Sequence, residues 1–360
     1  MEPVRLYVGP DYKEPQLYTY VELLFPFWGV AAKESMPYVR AAATQYQYSK
    51  NDFVLVDDIK DADYVLMPYH YERLMAVNPE KVARIVREAQ EAGKPLLIDG
   101  SGDIEHVIDI PNTVVLRVSQ YRYAVKENEI TVPFLAEDLL ESFRGGIVEL
   151  RIKMQTPSVG FTGWADISFI TRLKIFVKEF SITLGALFDE KRGAEHKGLL
   201  FRARALKALQ KTKGIVNNFT IRKSYSGHSA TIQGAVKDNR QAFVDALIGS
   251  DYALVVRGDA NASVRFYEAL SLGRIPLFLD TACVLPLEDR INYRDFCVFV
   301  DWRDTDQIGE NLVKFHQSVT SERFVEMQHR AREAYQNYLR IDAFSAHLAD
   351  MLRARLTIQK

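Results

Sequence analysis

The sequence predicts an α/β protein of two domains. Three observations carry that prediction. Short β-branched runs alternate with stretches of helical spacing along the whole chain, no internal repeat or low-complexity segment interrupts them, and 360 residues exceed what one hydrophobic core usually organises. A composition of 48% hydrophobic and 26% charged residues excludes a disordered chain, and a net charge of −1 argues against general nucleic-acid binding.

In the first half, Val4–Val8, Phe53–Val56, Tyr64–Met67, Leu96–Ile98 and Val114–Val118 read as short strands. Pro79 to Ala92 reads as a helix, with Val82, Ile85, Val86 and Ala89 on one face and Gly93 at its C-cap. Gly145-Gly146 to Pro157 is the expected passage between domains, with charged Glu149 to Lys153 open to a helical reading. The boundaries expected are therefore 1–150, 151–340 and a final helix at 341–360. Strands recur at Ser158–Phe161, Ile215–Phe219, Tyr252–Val256, Ile275–Leu279 and Cys297–Val300. Helices are expected at about 166–184, 199–211, 238–249, 262–272, 305–318 and 321–340.

The segment from Ser250 to Asp301 is the most informative. Tyr252 to Val256 has the composition of a buried parallel strand, Gly258, Asp259, Ala260 and Asn261 make a polar turn, and Ser263 can cap the helix that follows. A helix start gathers unpaired N–H groups and so attracts an anion. Arg265 stands in the first turn and Glu268 three residues on, hence on the same face. A guanidinium can fork two phosphate oxygens, and a carboxylate suits a pair of sugar hydroxyls. The plainer alternative is a surface ion pair in a βαβ unit. The placement after a strand and polar turn and before Gly273-Arg274-Ile275-Pro276 favours the phosphate reading.

From Arg257 to Asp280 the chain reads R-G-D-A-N-A-S-V-R-F-Y-E-A-L-S-L-G-R-I-P-L-F-L-D, continuing to Ile291-Asn292-Tyr293. This resembles the C-terminal signature of exostosin-type glycosyltransferases, family GT47, and most closely the soluble bacterial members. The resemblance covers roughly 240–335; in the N-terminal half only Ala62 to Pro68 (A-D-Y-V-L-M-P) suggests it. It implies a GT-B fold: two Rossmann-like domains facing a cleft, with the C-terminal helix crossing back onto the first domain. It further implies a nucleotide-sugar donor as substrate on the C-terminal domain, a saccharide or lipid-linked saccharide acceptor on the N-terminal one, inverting transfer, and no cofactor or essential metal. By matching position, Arg265 would hold the donor diphosphate and Glu268 the ribose, with Arg257 a second phosphate candidate.

Other segments carry two readings each. Val159-Gly160-Phe161-Thr162-Gly163-Trp164 follows a strand start, and its glycines would let phosphate approach backbone N–H groups, though any tight turn uses glycine too. Lys191 to Lys223 holds ten Lys/Arg against one acid, Glu195. Its ordinary reading is a solvated helix face plus loop; the sharper one is a platform for an anionic membrane surface or a diphosphate-linked lipid. Tyr225 to Ser229 reads as a loop that could close on the donor. The general base that inverting transfer requires is sought after strand ends of the first domain. Asp103, with His106 beside it, and His70 are the candidates, against a turn cap and a loop histidine. Gly9 and Gly100 would allow an acceptor close, or simply turn the chain.

Two cysteines, Cys283 and Cys297, provide no disulfide framework or zinc spacing, and the N-terminus lacks an apolar leader. A glycan on the Asn261-Ala262-Ser263 sequon would block the donor turn, so a cytoplasmic enzyme, peripheral at the inner membrane face if the basic platform serves there, is expected. Two rivals are a GT-B-type nucleotide-sugar epimerase and a non-catalytic sugar-binding scaffold.

Overall fold

The computed structural model describes residues 2–30, 37–102, 107–223 and 236–358. The chain forms two compact units, one of residues 1–120, 125–136 and 337–360, the other of 121–124 and 137–336.

The first unit holds six strands among the described residues: β1 (Val4–Tyr7), β2 (Phe53–Val56), β3 (Tyr64–Leu66), β4 (Leu96–Asp99), β5 (Thr113–Arg117) and β6 (Glu129–Thr131). They pair in the order β2-β1-β3-β4-β5-β6, and every pairing is parallel. β3, β4 and β5 are buried along their whole length, as strands covered on both faces must be. Helices α1 (Phe25–Trp28), α2 (Pro37–Gln45), α3 (Tyr71–Val77) and α4 (Pro79–Glu91) connect them. Asn78 caps α4 through its side chain, and Val82, Ile85 and Ala89 turn into the core against Val65, Ile98 and Val115. The last helix, Ile341–Ile358, belongs to this unit: Leu352 O accepts from Tyr64 Oη at 2.8 Å, and Ser345 Oγ accepts from the Ser49 N–H at 2.9 Å.

The second unit repeats the plan with β7 (Ser158–Trp164), β8 (Val216–Arg222), β9 (Tyr252–Val255), β10 (Ile275–Asp280) and β11 (Val298–Asp301). Their order is β11-β10-β9-β7-β8, again all parallel. Its helices are α5 (Leu139–Arg144), α6 (Phe169–Lys178), α7 (Phe180–Ala186), α8 (Gly198–Lys211), α9 (Val236–Ile248), α10 (Val264–Ser271), α11 (Ile308–Ser318) and α12 (Ser321–Ala334). Counting strands from the start of each unit, both sheets run 2-1-3-4-5, the doubly wound Rossmann-like order, with a sixth strand added in the first. Both cysteines lie in the second unit, buried and unpaired, and burial pushes their thiols upward.

The units divide at residues 136 and 137, ahead of the 145–157 passage expected from Gly145-Gly146. The reason is α5: Leu139 and Leu140 sit in a core with Val244, Leu247, Ala253 and Ala269, so 137–157 folds with the second unit. Glu149 to Lys153 is not helical; both glycines before it adopt positive φ and end α5. The helix expected at 166–184 is two helices, broken at Glu179 (φ −100°, ψ 14°), whose carboxylate accepts from the Lys197 N–H at 3.0 Å.

Gly160 lies inside β7, not in a phosphate-binding turn. A Cβ there would stand 2.7 Å from the Ala246 carbonyl and from Ser250 Oγ, so the residue lets α9 pack onto the sheet. Gly160→Ala is expected to destabilise the protein by roughly 1–3 kcal/mol through overpacking, read from urea unfolding midpoints at constant m.

Candidate functional site

In doubly wound sheets, ligands gather outside the carboxyl ends of the strands where the order reverses. In the second unit that point is the pair β7 and β9. Arg202 of α8 clasps it: Nη1 donates to Trp164 O at 2.8 Å and Nη2 to Arg257 O at 3.1 Å. Gly198, the first residue of α8, lets the same helix approach; a Cβ there would lie 2.2 Å from the carbonyls of Arg257 and Gly258.

Arg265, in the first turn of α10, reaches these strand ends. Its guanidinium lies 4.9 Å from the centre of the Phe161 ring and fills the space beside Gly163, where a Cβ would stand 2.1 Å from Nη2. Any side chain at Gly163 would displace it. Thr162, between these residues, is 3% exposed, and its Oγ1 has no partner among the described residues. Arg265, Gly163 and Thr162 thus form one group.

The remaining expected residues of this region do other work. Arg257 is buried and donates from Nη1 to Ala194 O at 2.9 Å and from Nη2 to Asp259 O at 2.6 Å, with Tyr121 under its guanidinium. It holds the turn rather than presenting a charge. The Gly258 N–H donates to Ala262 O at 3.0 Å. Asn261, 1% exposed, donates to Thr281 O at 3.2 Å and accepts from Thr281 Oγ1 at 2.6 Å, stapling the turn to the end of β10. Ser263 stands at the N-cap of α10, but its hydroxyl makes no capping hydrogen bond.

Glu268 is 5% exposed and bound into a charge triad that the sequence did not reveal. Arg240 of α9 donates from Nη1 to Glu268 Oε1 at 2.6 Å, and from Nε and Nη2 to Glu137 Oε2 at 3.1 Å. Burial pulls the Arg240 guanidinium down, but the two carboxylates outweigh it and hold the group above its usual range. The Glu268 carboxylate is therefore positioned by Arg240 instead of standing open.

In the first unit the reversal point lies at β1 and β3. His70, four residues beyond β3, faces the end of β4: its Nδ1 is 3.2 Å from Asp99 Oδ1, an ion pair without the alignment of a hydrogen bond. Asp99 also accepts from the Ser101 N–H at 2.7 Å. Glu22 completes the cluster, with one ligating atom of each of the three residues within 4.8 Å of the others. Burial alone would lower the His70 pKa, but Asp99 and then Glu22 raise it to about 9, so the ring is an imidazolium at neutral pH. Asp99 is held low against its own burial by that cation, whereas burial pushes the partly exposed Glu22 up. Two carboxylates and an imidazole at this spacing become a donor set for a divalent cation only when the ring gives up its proton. Asp103 and His106 lie outside the described residues, as does Tyr225 to Ser229. The Tyr12 ring fills the space beside Gly9, and Val115 and Ile108 fill that beside Gly100, so neither glycine leaves room for a ligand.

Against known proteins, residues 185–315 match the family model described as the Exostosin GT47 domain. A curated relative, Exostosin-1 of Drosophila melanogaster, is 30% identical over 106 residues, which are 28% of this chain. The chain spans only 13% of that relative's length. The matched segment contains Arg257, Arg265 and Glu268, and ends before α12.

Arg240→Ala should cost roughly 3–5 kcal/mol, because it strands two buried carboxylates; thermal and urea unfolding measure it. For His70, the folded pKa of about 9 lies above the ordinary 6.5. Its stabilising contribution is therefore complete below about pH 6.5 and lost as pH rises through about 9. Asp99→Asn removes the larger of the two attractions and should bring the His70 midpoint below 6.5, as followed by NMR of the imidazole resonances.

Proposed function

We propose that the protein is an inverting glycosyltransferase that moves a sugar from a nucleotide-sugar donor to a saccharide or lipid-linked saccharide acceptor. Its setting in this reading is surface-polysaccharide synthesis in the cytoplasm. The observation that carries it is Arg265: a guanidinium held at the β7 and β9 strand ends, inside the segment that matches the Exostosin GT47 domain. The donor diphosphate would sit against this guanidinium and the Thr162 hydroxyl, where charge-assisted hydrogen bonds are strongest. The ribose hydroxyls would meet Glu268, whose orientation Arg240 sets. The cytoplasmic setting draws support from Asn261, whose sequon nitrogen is buried in a hydrogen bond to Thr281 O.

The acceptor belongs in this reading to the first unit, where the Glu22, His70 and Asp99 cluster supplies the base. Of the two sequence candidates, Asp103 lies outside the described residues, and His70 as an imidazolium has no lone pair to accept with at neutral pH. Glu22 is partly exposed and its carboxylate has gained affinity for a proton, so it takes the hydroxyl proton. His70, anchored by Asp99, then orients the cluster. In the transfer the acceptor oxygen bonds to the anomeric carbon, the bond to the diphosphate breaks with its electron pair, and Arg265 stabilises the departing charge.

A thermal-shift screen of nucleoside diphosphates and nucleotide sugars identifies the donor, since binding stabilises the folded state. Arg265→Ala should then weaken diphosphate binding by roughly 1.5–3 kcal/mol in calorimetric titration. Unchanged affinity would make Arg265 a packing residue. Glu22→Gln should leave donor affinity intact and lower kcat by roughly 10²–10⁴, with Asp103→Asn and His70→Ala measured beside it. Full turnover in Glu22→Gln would remove the proposed base.

A further inference from the structure

The pair α6 and α7 departs from what a helix on a folded domain normally shows. Ile175 turns inward, 8% exposed, and packs with Ile167 and Leu199. The opposite side should then be polar, and it is not. Ile170, Leu173, Phe176, Val177 and Phe180 are between 53% and 67% exposed, at helical spacing. Leu187 and Phe188, just after α7, are 78% and 88% exposed. With Leu184, eight of the twenty large hydrophobic residues exposed among the described residues fall within 170–188. A patch of this density marks a binding surface.

The charge around it identifies the partner. Residues 170–213 hold eleven Lys/Arg against four Asp/Glu, a net of +7 in a chain whose total is −1. Arg172, Lys174 and Lys178 are exposed beside the apolar residues of α6. A groove of ≈ 1110 Å³ runs alongside, lined by Phe176 and Leu200 together with Arg172, Lys207, Lys211 and Lys213. Two of its acids are already engaged: Asp306 accepts from Arg204 at 2.6 Å and Glu179 pairs with His196 at 2.9 Å. Apolar side chains rimmed by unbalanced cations complement one surface chemistry, acyl chains beneath anionic headgroups. Ten residues of α6 are about 15 Å long, half a bilayer core, so the segment lies in the interface and does not span it.

We propose that α6, α7 and the basic face of α8 form a docking surface for an anionic phospholipid bilayer. Ile170, Phe176, Phe180, Leu187 and Phe188 enter the headgroup–acyl boundary, and Lys207, Lys211 and Lys213 pair with lipid phosphates. This surface is independent of the donor site and of its proposed chemistry.

The test is co-sedimentation of the whole protein with sucrose-loaded vesicles of phosphatidylglycerol and phosphatidylcholine, and of phosphatidylcholine alone. The expected result is binding to the anionic vesicles, weakened by salt. A Phe176→Ser, Phe180→Ser, Phe188→Ser variant should lower the partition coefficient by about tenfold or more. A Lys207→Glu, Lys211→Glu, Lys213→Glu variant should lower it on the order of 100-fold at low salt. Circular dichroism melts check both folds, and the single Phe188→Ser change, at the most exposed position, serves if the triple variant does not fold. No binding by the natural protein, equal binding to both vesicle types, or binding untouched by either variant would each overturn the proposal. So would a monomer–dimer equilibrium abolished by the Phe substitutions without vesicle binding, which would assign the patch to a second copy of the chain.

Discussion

A parallel sheet that winds both ways from its first strand leaves, above the carboxyl ends of two neighbouring strands, a place no crossover can cover. Both units are built on that constraint; the chemistry-bearing residues of the second collect there, and those of the first gather one strand along, at the ends of β3 and β4. In the second unit Arg202 ties Trp164 O and Arg257 O together, fixing the distance between the strand ends before any ligand arrives. Arg265 can then stand at the opening because Gly163 leaves the volume its guanidinium occupies. In the first unit His70 and Asp99 come from the ends of adjacent strands, and Glu22 joins them from a short 3₁₀ turn.

Around these openings the structure spends its buried charges on support. Glu137, Arg240 and Glu268 form one such group, and Arg332 with Asp138 another at 2.7 Å. Arg274, of the Gly273-Arg274-Ile275-Pro276 motif, is 1% exposed and donates to Glu149 O at 2.5 Å; burial lowers its pKa to about 10. It anchors the segment after α5 and has no role at the opening. Buried ion pairs of this sort add little net stability, but removing one partner is expensive, so they fix geometry.

Much of this was legible in the residues. Ten of the eleven strands among the described residues could be read from β-branched runs, one of them with both ends exact and the others with an end off by at most three residues. β6 was not, since Glu129–Thr131 is three residues long and two of the three are polar, below the reach of any period. The break between α6 and α7 also escaped, because it depends on Glu179 meeting His196 and Lys197, a tertiary contact. The strand-turn-helix around Arg265 was readable because a helix start after a strand announces itself locally. The partners of Glu268 and of His70 were not. Arg240 stands 28 residues from Glu268, and Glu22 stands 48 from His70, in segments whose local pattern says nothing of charge pairing. The glycines of β7 were visible but ambiguous: Gly160 serves helix packing and Gly163 an arginine, and only three-dimensional neighbours separate the two uses.

The placement of the two cysteines has a practical bearing. Cys283 and Cys297 are the chain's only thiols; both are buried in the second unit, and burial holds both in the unreactive protonated form. The first unit contains none. Alkylation under native conditions therefore clocks excursions in which the β10–β11 region opens, and stays silent to any unfolding confined to the other half of the molecule. The chain carries its own one-sided stopwatch, and mass spectrometry can read it without a single engineered label.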